Sequence, residues 1–194
     1  MIFSFTGAQS TGKTTLLNKL REKNTDNSFE FVPEVTRLIM RDYEMPINED
    51  GNDLTQLLIM SEHVRNIYKN KADRLIRGMH MIFDRCVVDG IVYSRWLLNE
   101  GKISKCCYDA CALIYEELKD KYDIIFYTSS DDVKLVDDGE RSIDAKFRNG
   151  IINTFNAFLE RGYDGKVVVL EGSVEERLKT IKSTLDKHNI DIKI

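Results

Sequence analysis

The stretch "TGAQSTGKTTLL", residues 6–17, decides the fold of this 194-residue chain. It follows the short apolar run "IFSF" and places Gly7 and Gly12 ahead of Lys13 and Thr14, in the spacing G-x-x-x-x-G-K-[ST]. The apolar run predicts a buried strand, and the residues from Lys13 onward predict a helix. A glycine-containing turn is therefore expected between a strand and a helix.

This turn is predicted to be a phosphate-binding loop. Glycines let successive backbone N–H groups face inward, and the N-terminus of the following helix favours anions. Lys13 is expected to reach the β- and γ-phosphates of a nucleoside triphosphate, and the Thr14 hydroxyl to ligate Mg²⁺. ATP and Mg²⁺ are therefore the expected cofactors. The residues assigned to cofactor binding in this loop are Gly7, Ala8, Gln9, Ser10, Thr11, Gly12, Lys13, Thr14 and Thr15.

Apolar strands alternate with helical patterns along the rest of the chain. Strands are predicted over residues 2–6, 29–34, 79–85, 122–128 and 166–172. The alternation implies βαβ units and a parallel sheet, and strands that are apolar on both faces imply helices on both sides. We therefore predict an α/β fold of the P-loop NTPase type. This is a three-layer sandwich with a mostly parallel five-stranded sheet, forming a single domain over residues 1–194.

Composition narrows the class of protein. The net charge of −4 does not favour nucleic acid or an anionic membrane, and hydrophobic content of 42% is ordinary for a globular domain. No apolar run approaches the roughly 18 residues that a membrane span needs, and the N-terminus lacks the basic region of a signal peptide. A cytoplasmic protein without membrane association is expected. The four cysteines form no C-x-x-C pair, which argues against a metal cluster.

Glu34 is the first candidate on the acceptor side of the site. It follows the second predicted strand and Pro33, and Arg37 lies three residues on, on the same helical face. A carboxylate there can orient or deprotonate an acceptor hydroxyl, and the arginine can bind a phosphate or hold the carboxylate. The alternative is a helix-start glutamate favoured by the dipole, with Arg37 as its exposed partner.

Asp84 and Arg85 end the third predicted strand at the same edge of the sheet. Asp84 can hold Mg²⁺ through its hydration shell or through Thr14, and Arg85 can bind an acceptor phosphate or neutralise Asp84. A surface ion pair at a strand end is the alternative. Asp89 and Tyr93 follow at i and i+4 on one helix face, where they are expected to line the acceptor pocket or to be ordinary helix residues.

A charged segment near residues 128–148 is predicted to form a lid. Arg141 and Arg148 are expected to stabilise the transferring phosphoryl group when the lid closes and excludes water. Lys134 and Lys146 are weaker candidates in the same segment. A solvated charged loop is the alternative. Residues 187–194 are compatible with a tail or a strand.

Five motifs, in order, carry a resemblance to a known family. They are "GAQSTGKTT", "PEVTR", "DLTQ", "DR…D…Y" and "DDGERSID…FR", and together they span residues 2 to about 160. The chain resembles the small P-loop kinases that include the bacterial ribosylnicotinamide kinase domain. The "PE" and "DR" pairs also resemble deoxynucleoside and thymidylate kinases. Where ribosylnicotinamide kinases carry an Asp-Thr-Asp type motif, this chain has Asp84-Arg85-Cys86.

The resemblance implies a phosphotransferase that uses ATP and Mg²⁺. It implies that Glu34 contacts the acceptor hydroxyl, that Asp84 and Arg85 sit by the metal and phosphates, and that lid arginines clamp the phosphoryl group. The expected acceptor is a nucleoside-like or nucleotide-like small molecule. The oligomeric state is left open.

Two other functions stay open at this point. A kinase acting on a hydroxymethylated base or an end of DNA would need basic side chains beside the acceptor mouth. The candidates for that cluster are Lys69, Lys71, Arg74 and Arg77. A nucleotide- or lipid-binding module without acceptor chemistry would show slow hydrolysis and no effect of removing Glu34.

Overall fold

The computed structural model describes residues 1–69, 75–129, 145–159 and 166–194. Its five strands are β1 (Ile2–Thr6), β2 (Phe29–Val32), β3 (His80–Asp84), β4 (Ile124–Thr128) and β5 (Val167–Leu170). The helices that follow from the described residues are α1 (Lys13–Lys23), α2 (Val35–Tyr43), α3 (Asp53–Tyr68), α4 (Val87–Asn99), α5 (Lys105–Leu118), α6 (Ala145–Leu159) and α7 (Val174–Asp186). Short 3₁₀ turns occur at Asn48–Asp50 and Lys119–Lys121.

The strands form one sheet in the order β2-β3-β1-β4-β5, and all four pairings are parallel. This confirms the predicted five-stranded α/β fold. The register pairs Phe5 with Asp84 and Thr6 with Tyr127, so the carboxyl ends of the three central strands lie side by side. Ligands of such sheets bind outside these ends. The segments after β1, β2, β3 and β4 therefore share one edge.

Helices cover both faces of the sheet, as expected for strands without a polar face. On one face Phe3 and Phe5 of β1 pack with residues of α1 and α7, including Leu16 and Ile181. The other face packs against α3, α4, α5 and α6. The central strands β1, β3 and β4 are largely buried, so their close packing holds the loops at their carboxyl ends in place.

The predicted end of the long helix differs from the structure. The helix predicted over residues 53–76 ends at Tyr68, because Lys69 takes an extended backbone (φ −58°, ψ 131°). The apolar periodicity that predicted a longer helix continues into Leu75 and Ile76. These two residues are 74% and 83% exposed, respectively. The apolar positions beyond Tyr68 therefore do not belong to a buried helix face.

Within the part of the chain described, no helix combines the length and the apolar character that crossing a membrane requires.

The C-terminal segment packs onto the body of the protein without forming a strand. Ile190 and Ile192 are buried in the core next to α1 and α7. The Asn24 side chain donates to the Lys193 carbonyl (2.9 Å) and accepts from the Lys193 amide (2.9 Å). This pairing satisfies the backbone of an extended segment in the absence of a strand partner.

Candidate active site

The loop after β1 depends on its first glycine. Gly7 has φ 132°, and a Cβ there would lie 2.7 Å from the Thr128 carbonyl oxygen. The loop also contacts the end of β4 through a hydrogen bond between the hydroxyls of Thr11 and Thr128 (2.6 Å). Gly12, at φ 87°, starts α1 without a side-chain cap. Gly12 therefore brings no capping side chain to the first turn of α1, as expected of a phosphate-binding loop at a helix N-terminus.

Lys13 folds back onto this loop. Its Nζ donates to the carbonyl oxygens of Gly7 (2.8 Å) and Ala8 (2.6 Å), and its side chain is buried. Burial, with the positive charge of Arg85 adding to it, lowers the pKa of the Lys13 ammonium to about 7. An anionic phosphate in the loop would favour the charged ammonium and raise that pKa. Phosphate binding is therefore expected to increase the protonated fraction of Lys13.

Glu34 lies between two arginines. Its Oε1 accepts from Arg85 Nε at 2.5 Å and its Oε2 accepts from Arg37 Nε at 3.0 Å. Burial alone would raise the pKa of this carboxyl, but the positive charges of Arg85, Lys13 and Arg37 outweigh it and lower the pKa to about 2. Glu34 also occupies the N-cap position of α2, although its side chain makes no capping hydrogen bond there. The carboxylate therefore stays ionised and is a weak proton acceptor.

Arg85 joins the three elements of the site. Its backbone is left-handed (φ 72°), which is uncommon for a residue with a side chain and occurs at functional sites. Besides Glu34, its guanidinium donates from Nη1 to Asp89 Oδ1 (2.8 Å) and to the Gly7 carbonyl (3.2 Å). It lies 5.5 Å from the ring centroid of Tyr93. A single side chain thus ties the phosphate loop to β3, α2 and α4.

Asp89 lines the acceptor cleft and also positions Arg85. Its Oδ2 accepts from the Thr6 hydroxyl (2.8 Å) and from the Cys86 amide (2.9 Å). The second interaction caps α4. With Arg85 on Oδ1, both carboxylate oxygens are engaged, so Asp89 fixes the direction of Arg85.

Asp84 has a different environment from the other two acids. Its Oδ1 is buried and has no hydrogen-bond partner among the described residues. Burial, with the negative charge of Glu34 as the next contribution, raises the pKa of the carboxyl to about 6. Metal-ligating carboxylates supply oxygens to hard cations such as Mg²⁺. An orphaned carboxylate oxygen at this edge, near Lys13, fits that chemistry.

The predicted residues surround two adjoining spaces. A narrow crevice is lined by the loop residues Ser10 to Thr14 together with Glu34 and Arg85. Beyond it lies a narrow cleft with a free volume of about 20 Å³, which we call the acceptor cleft. Its predicted lining residues are Glu34, Arg85, Asp89 and Tyr93. Arg37 borders it through its ion pair with Glu34.

Sequence reasoning missed several residues of the acceptor cleft. Gln56 and His63 of α3 and Asn48 of the preceding 3₁₀ turn also line it. The only signal was the "DLTQ" motif, since the rest of α3 has the spacing of an ordinary core helix. Gln9 was assigned to the loop, and its side-chain oxygen accepts from the Tyr93 hydroxyl at 3.2 Å. The side chain of this loop residue therefore faces the acceptor side.

A third space lies on the other side of the loop, toward β5. It is lined by Thr11, Thr15 and Leu16 of the loop and α1, and by Gly172, Ser173 and Arg177. Arg177 is buried and donates to the carbonyl oxygens of Thr11 (2.7 Å) and Gly172 (2.9 Å). It thereby connects the phosphate loop to the turn after β5. No motif in the sequence had marked it.

Part of the predicted lid is outside the described residues. Arg141 and Lys134 lie there, so only the end of the segment is seen. Arg148 is partly buried in α6, and the neighbouring Phe147 packs edge-on against Tyr93 (5.9 Å between ring centroids). The start of α6 therefore packs against Tyr93, a residue that lines the acceptor cleft. The Lys146 side chain is 83% exposed, and its Nζ lies 3.8 Å from Glu100 Oε2.

The described members of the candidate DNA-binding cluster lie far from the loop. Lys69 follows Tyr68, and Arg77 precedes Gly78, at a cavity that Met1 and Ile2 also line. Met1 and Ile2 are at the amino end of β1, whereas the phosphate loop follows its carboxyl end. Lys71 and Arg74 lie outside the described residues.

Comparison with known proteins supports the interpretation of the fold. A family model described as "AAA domain" matches residues 2–177. No curated protein matches the chain significantly. Deoxyadenosine kinase from M. mycoides, in a structure with bound dATP, has a TM-score of 0.67 and 15% identity, covering 96% of this chain and 99% of that one. The same kinase in a structure with products dCMP and dCDP has a TM-score of 0.66 and 13% identity, covering 96% of this chain and 100% of that one.

The NadR protein is similar over about half of its own length. In its complex with NR the TM-score is 0.72 and the identity 17%, and the match covers 100% of this chain and 53% of that one. At such identities these likenesses establish the fold alone. They confirm the resemblance to small P-loop kinases that the five motifs indicated.

Proposed function

The chain belongs to the AAA domain family of P-loop proteins, and from that premise we propose that it is a kinase. It would transfer the γ-phosphoryl group of ATP to a hydroxyl of a nucleoside-like or nucleotide-like acceptor. The observation that supports this most directly is the acceptor cleft itself. It opens beside the phosphate crevice, and Glu34 and Arg85 line both spaces.

The residues divide the work of the transfer between them. The loop amides and Lys13 bind the phosphates, and Arg85 stabilises the charge of the transferring group. A bond forms between the acceptor oxygen and the γ-phosphorus while the bond to the β,γ-bridging oxygen of ATP breaks. ADP leaves, and the acceptor proton passes to a carboxylate or to solvent. The predicted lid arginines, Arg141 and Arg148, would add positive charge to the same group.

Glu34 suits an orienting role better than that of a strong base. Its pKa of about 2 makes it a poor proton acceptor, but its ionised oxygens accept hydrogen bonds strongly. Phosphoryl transfer has a loose transition state, so positioning of the acceptor hydroxyl contributes more than early deprotonation. We infer that Glu34 accepts a hydrogen bond from the acceptor hydroxyl once Arg37, the more exposed of its two partners, turns toward phosphate.

Thr14 and Asp84 are the residues that would hold Mg²⁺. When bound, the ion supplies positive charge to the phosphate oxygens. Asp84 would act directly or through water, since its buried Oδ1 lacks a protein partner among the described residues. The hydroxyl of Thr14 lines the phosphate crevice.

The charges in the acceptor cleft favour an uncharged acceptor. Two lining carboxylates, Glu34 and Asp89, face one lining guanidinium, Arg85, which both of them already engage. An acceptor that carries its own phosphate would meet little uncompensated positive charge there. This supports a nucleoside over a nucleotide or DNA, and the position of Lys69 and Arg77 points the same way.

Transfer of labelled γ-phosphate from ATP to a panel of acceptors tests the proposal. The panel contains ribo- and deoxynucleosides, their monophosphates, nicotinamide riboside and hydroxymethylated DNA. We expect labelling of a nucleoside-type acceptor, which Lys13→Ala abolishes. Hydrolysis of ATP without labelling of any acceptor would support a binding module instead, and labelling of DNA alone would support the DNA kinase.

A further inference from the structure

The wall of the acceptor cleft formed by α3 and α4 contains an imidazole. The two helices approach closely at Gly90, where a Cβ would lie 2.4 Å from Met60 Sδ and 3.8 Å from His63 Cδ2. A larger residue at this position would force the Met60 side chain to shift. The close approach leaves His63 only 2% exposed, yet His63 still lines the cleft.

His63 has a polar atom that none of the described residues satisfies. Its Nδ1 is buried without a hydrogen-bond partner in the part of the chain that the structure describes. Burial lowers the pKa of the ring to about 4, and Arg85 opposes protonation while Asp89 favours it. The ring is therefore neutral at physiological pH, with one donor and one acceptor nitrogen. A buried nitrogen without a hydrogen bond is unfavourable, and a ligand that supplies the bond gains from it.

The surroundings of His63 suit a flat ligand with a polar edge. Ile59 and Val35 supply apolar surface in the same cleft. Gln56 lies two turns before His63 on the same helix, and its Oε1 accepts from the Ser94 hydroxyl at 3.0 Å. That hydrogen bond fixes the carboxamide of Gln56. A buried imidazole and a fixed carboxamide on an apolar wall form a hydrogen-bonding edge rather than a charged site.

We propose that His63 is a specificity-determining residue, which hydrogen bonds to the polar edge of a planar nitrogen heterocycle on the acceptor. The acceptor is thus a nucleoside whose base lies along α3 and whose hydroxyl points to Glu34. This inference rests on the proposed kinase function. It adds that the free enzyme carries an unsatisfied nitrogen that only a matching base satisfies, so a mismatched base loses affinity.

Two variants of His63 test this assignment. His63→Leu removes the polar atom, whereas His63→Asn keeps a polar atom near the position of Nδ1. Transfer from ATP is measured against adenosine, guanosine, cytidine and uridine. We expect His63→Leu to lower kcat/KM for the preferred nucleoside about 10- to 100-fold and for the poorest one less than about threefold. His63→Asn should recover most of the lost selectivity.

The unfolding temperature of the free protein is a second measurement. It distinguishes a specificity role of His63 from a purely structural one. Because Nδ1 is unpaired, His63→Leu should unfold at an unchanged or higher temperature while losing selectivity. Met60→Leu, a core change in the same helix, is the matched control and should leave selectivity unchanged. An equal loss of kcat/KM for all four nucleosides, or a marked fall in unfolding temperature, would overturn the inference and leave the kinase proposal intact. No transfer to any nucleoside by the parent protein would overturn both.

Discussion

Asp84 should destabilise the free protein, and replacing it with asparagine should therefore raise stability. The pKa of the Asp84 carboxyl, about 6 in the folded protein, exceeds its ordinary value of 3.8. Below pH 4 the carboxyl is protonated in both states, so it contributes no difference. As pH rises from about 4 to about 6 the unfolded state loses its proton first, and the folded state is penalised. Above pH 6 the penalty is complete.

The size of this effect follows from the shift in pKa. A shift of about two units corresponds to roughly 3 kcal/mol, and relaxation of the site reduces it to about 1–3 kcal/mol. Asp84→Asn should gain that much at pH 7.5 and nothing near pH 3.5. Urea unfolding followed by circular dichroism at both pH values measures the difference. Addition of Mg·ATP should then stabilise the parent protein more than the variant.

Asp89→Asn is the matched control, because Asp89 has partners on both oxygens. It should lower the free energy of unfolding at pH 7.5, opposite in sign to Asp84→Asn. If Asp84→Asn instead loses stability at that pH, the Asp84 carboxylate has stabilising partners. The assignment of Asp84 as a residue kept for ligand binding would then fail.

Three further predictions concern the loop and its neighbours. Lys13→Ala should abolish phosphoryl transfer while the circular dichroism spectrum stays that of the parent; unchanged turnover would remove the basis of the kinase proposal. Glu34→Gln should slow transfer about 10²- to 10⁴-fold, while equilibrium titration finds ATP affinity within about threefold of the parent. Near-parental transfer would reduce Glu34 to a helix-start residue. Gly7→Ala should lose about 1–3 kcal/mol of stability and most ATP affinity, because its Cβ would contact the Thr128 carbonyl at 2.7 Å. Gly101→Ala, also at positive φ but with nothing within 4 Å, should change stability less and ATP affinity not at all.

The sequence predicted those parts of the fold that depend on local pattern. Strands such as "MIFD" are buried on both faces, so their apolar runs are continuous and easy to place. The phosphate loop was predictable because its glycines and lysine are adjacent in sequence. The end of α3 was not, because apolar spacing continues beyond Tyr68 although Leu75 and Ile76 are exposed.

The candidate site was predictable in its members but not in their pairing. Glu34, Arg85 and Asp89 were all expected at one edge of the sheet. That Arg85 binds both acids depends on its left-handed backbone, which nothing in the sequence requires. Gln56, His63 and Arg177 gave no clear signal, because each lies in a helix whose residues read as ordinary core or surface positions. Their roles appear only when the helices are packed.

Three carboxylates within one site have three different environments, and these separate their roles. Asp89 is engaged on both oxygens by groups of the fold, so it holds Arg85 and is not available to a ligand. Glu34 is engaged by Arg85, which Asp89 holds in place, and by the more exposed Arg37, which a phosphate can draw away because arginine binds phosphate well. Asp84 has an oxygen without a partner among the described residues and a raised pKa, so only a cation or a donor from a ligand can satisfy it. Phosphate binding in the loop would thus release Glu34 toward the acceptor hydroxyl, and the metal that accompanies the phosphates would occupy Asp84.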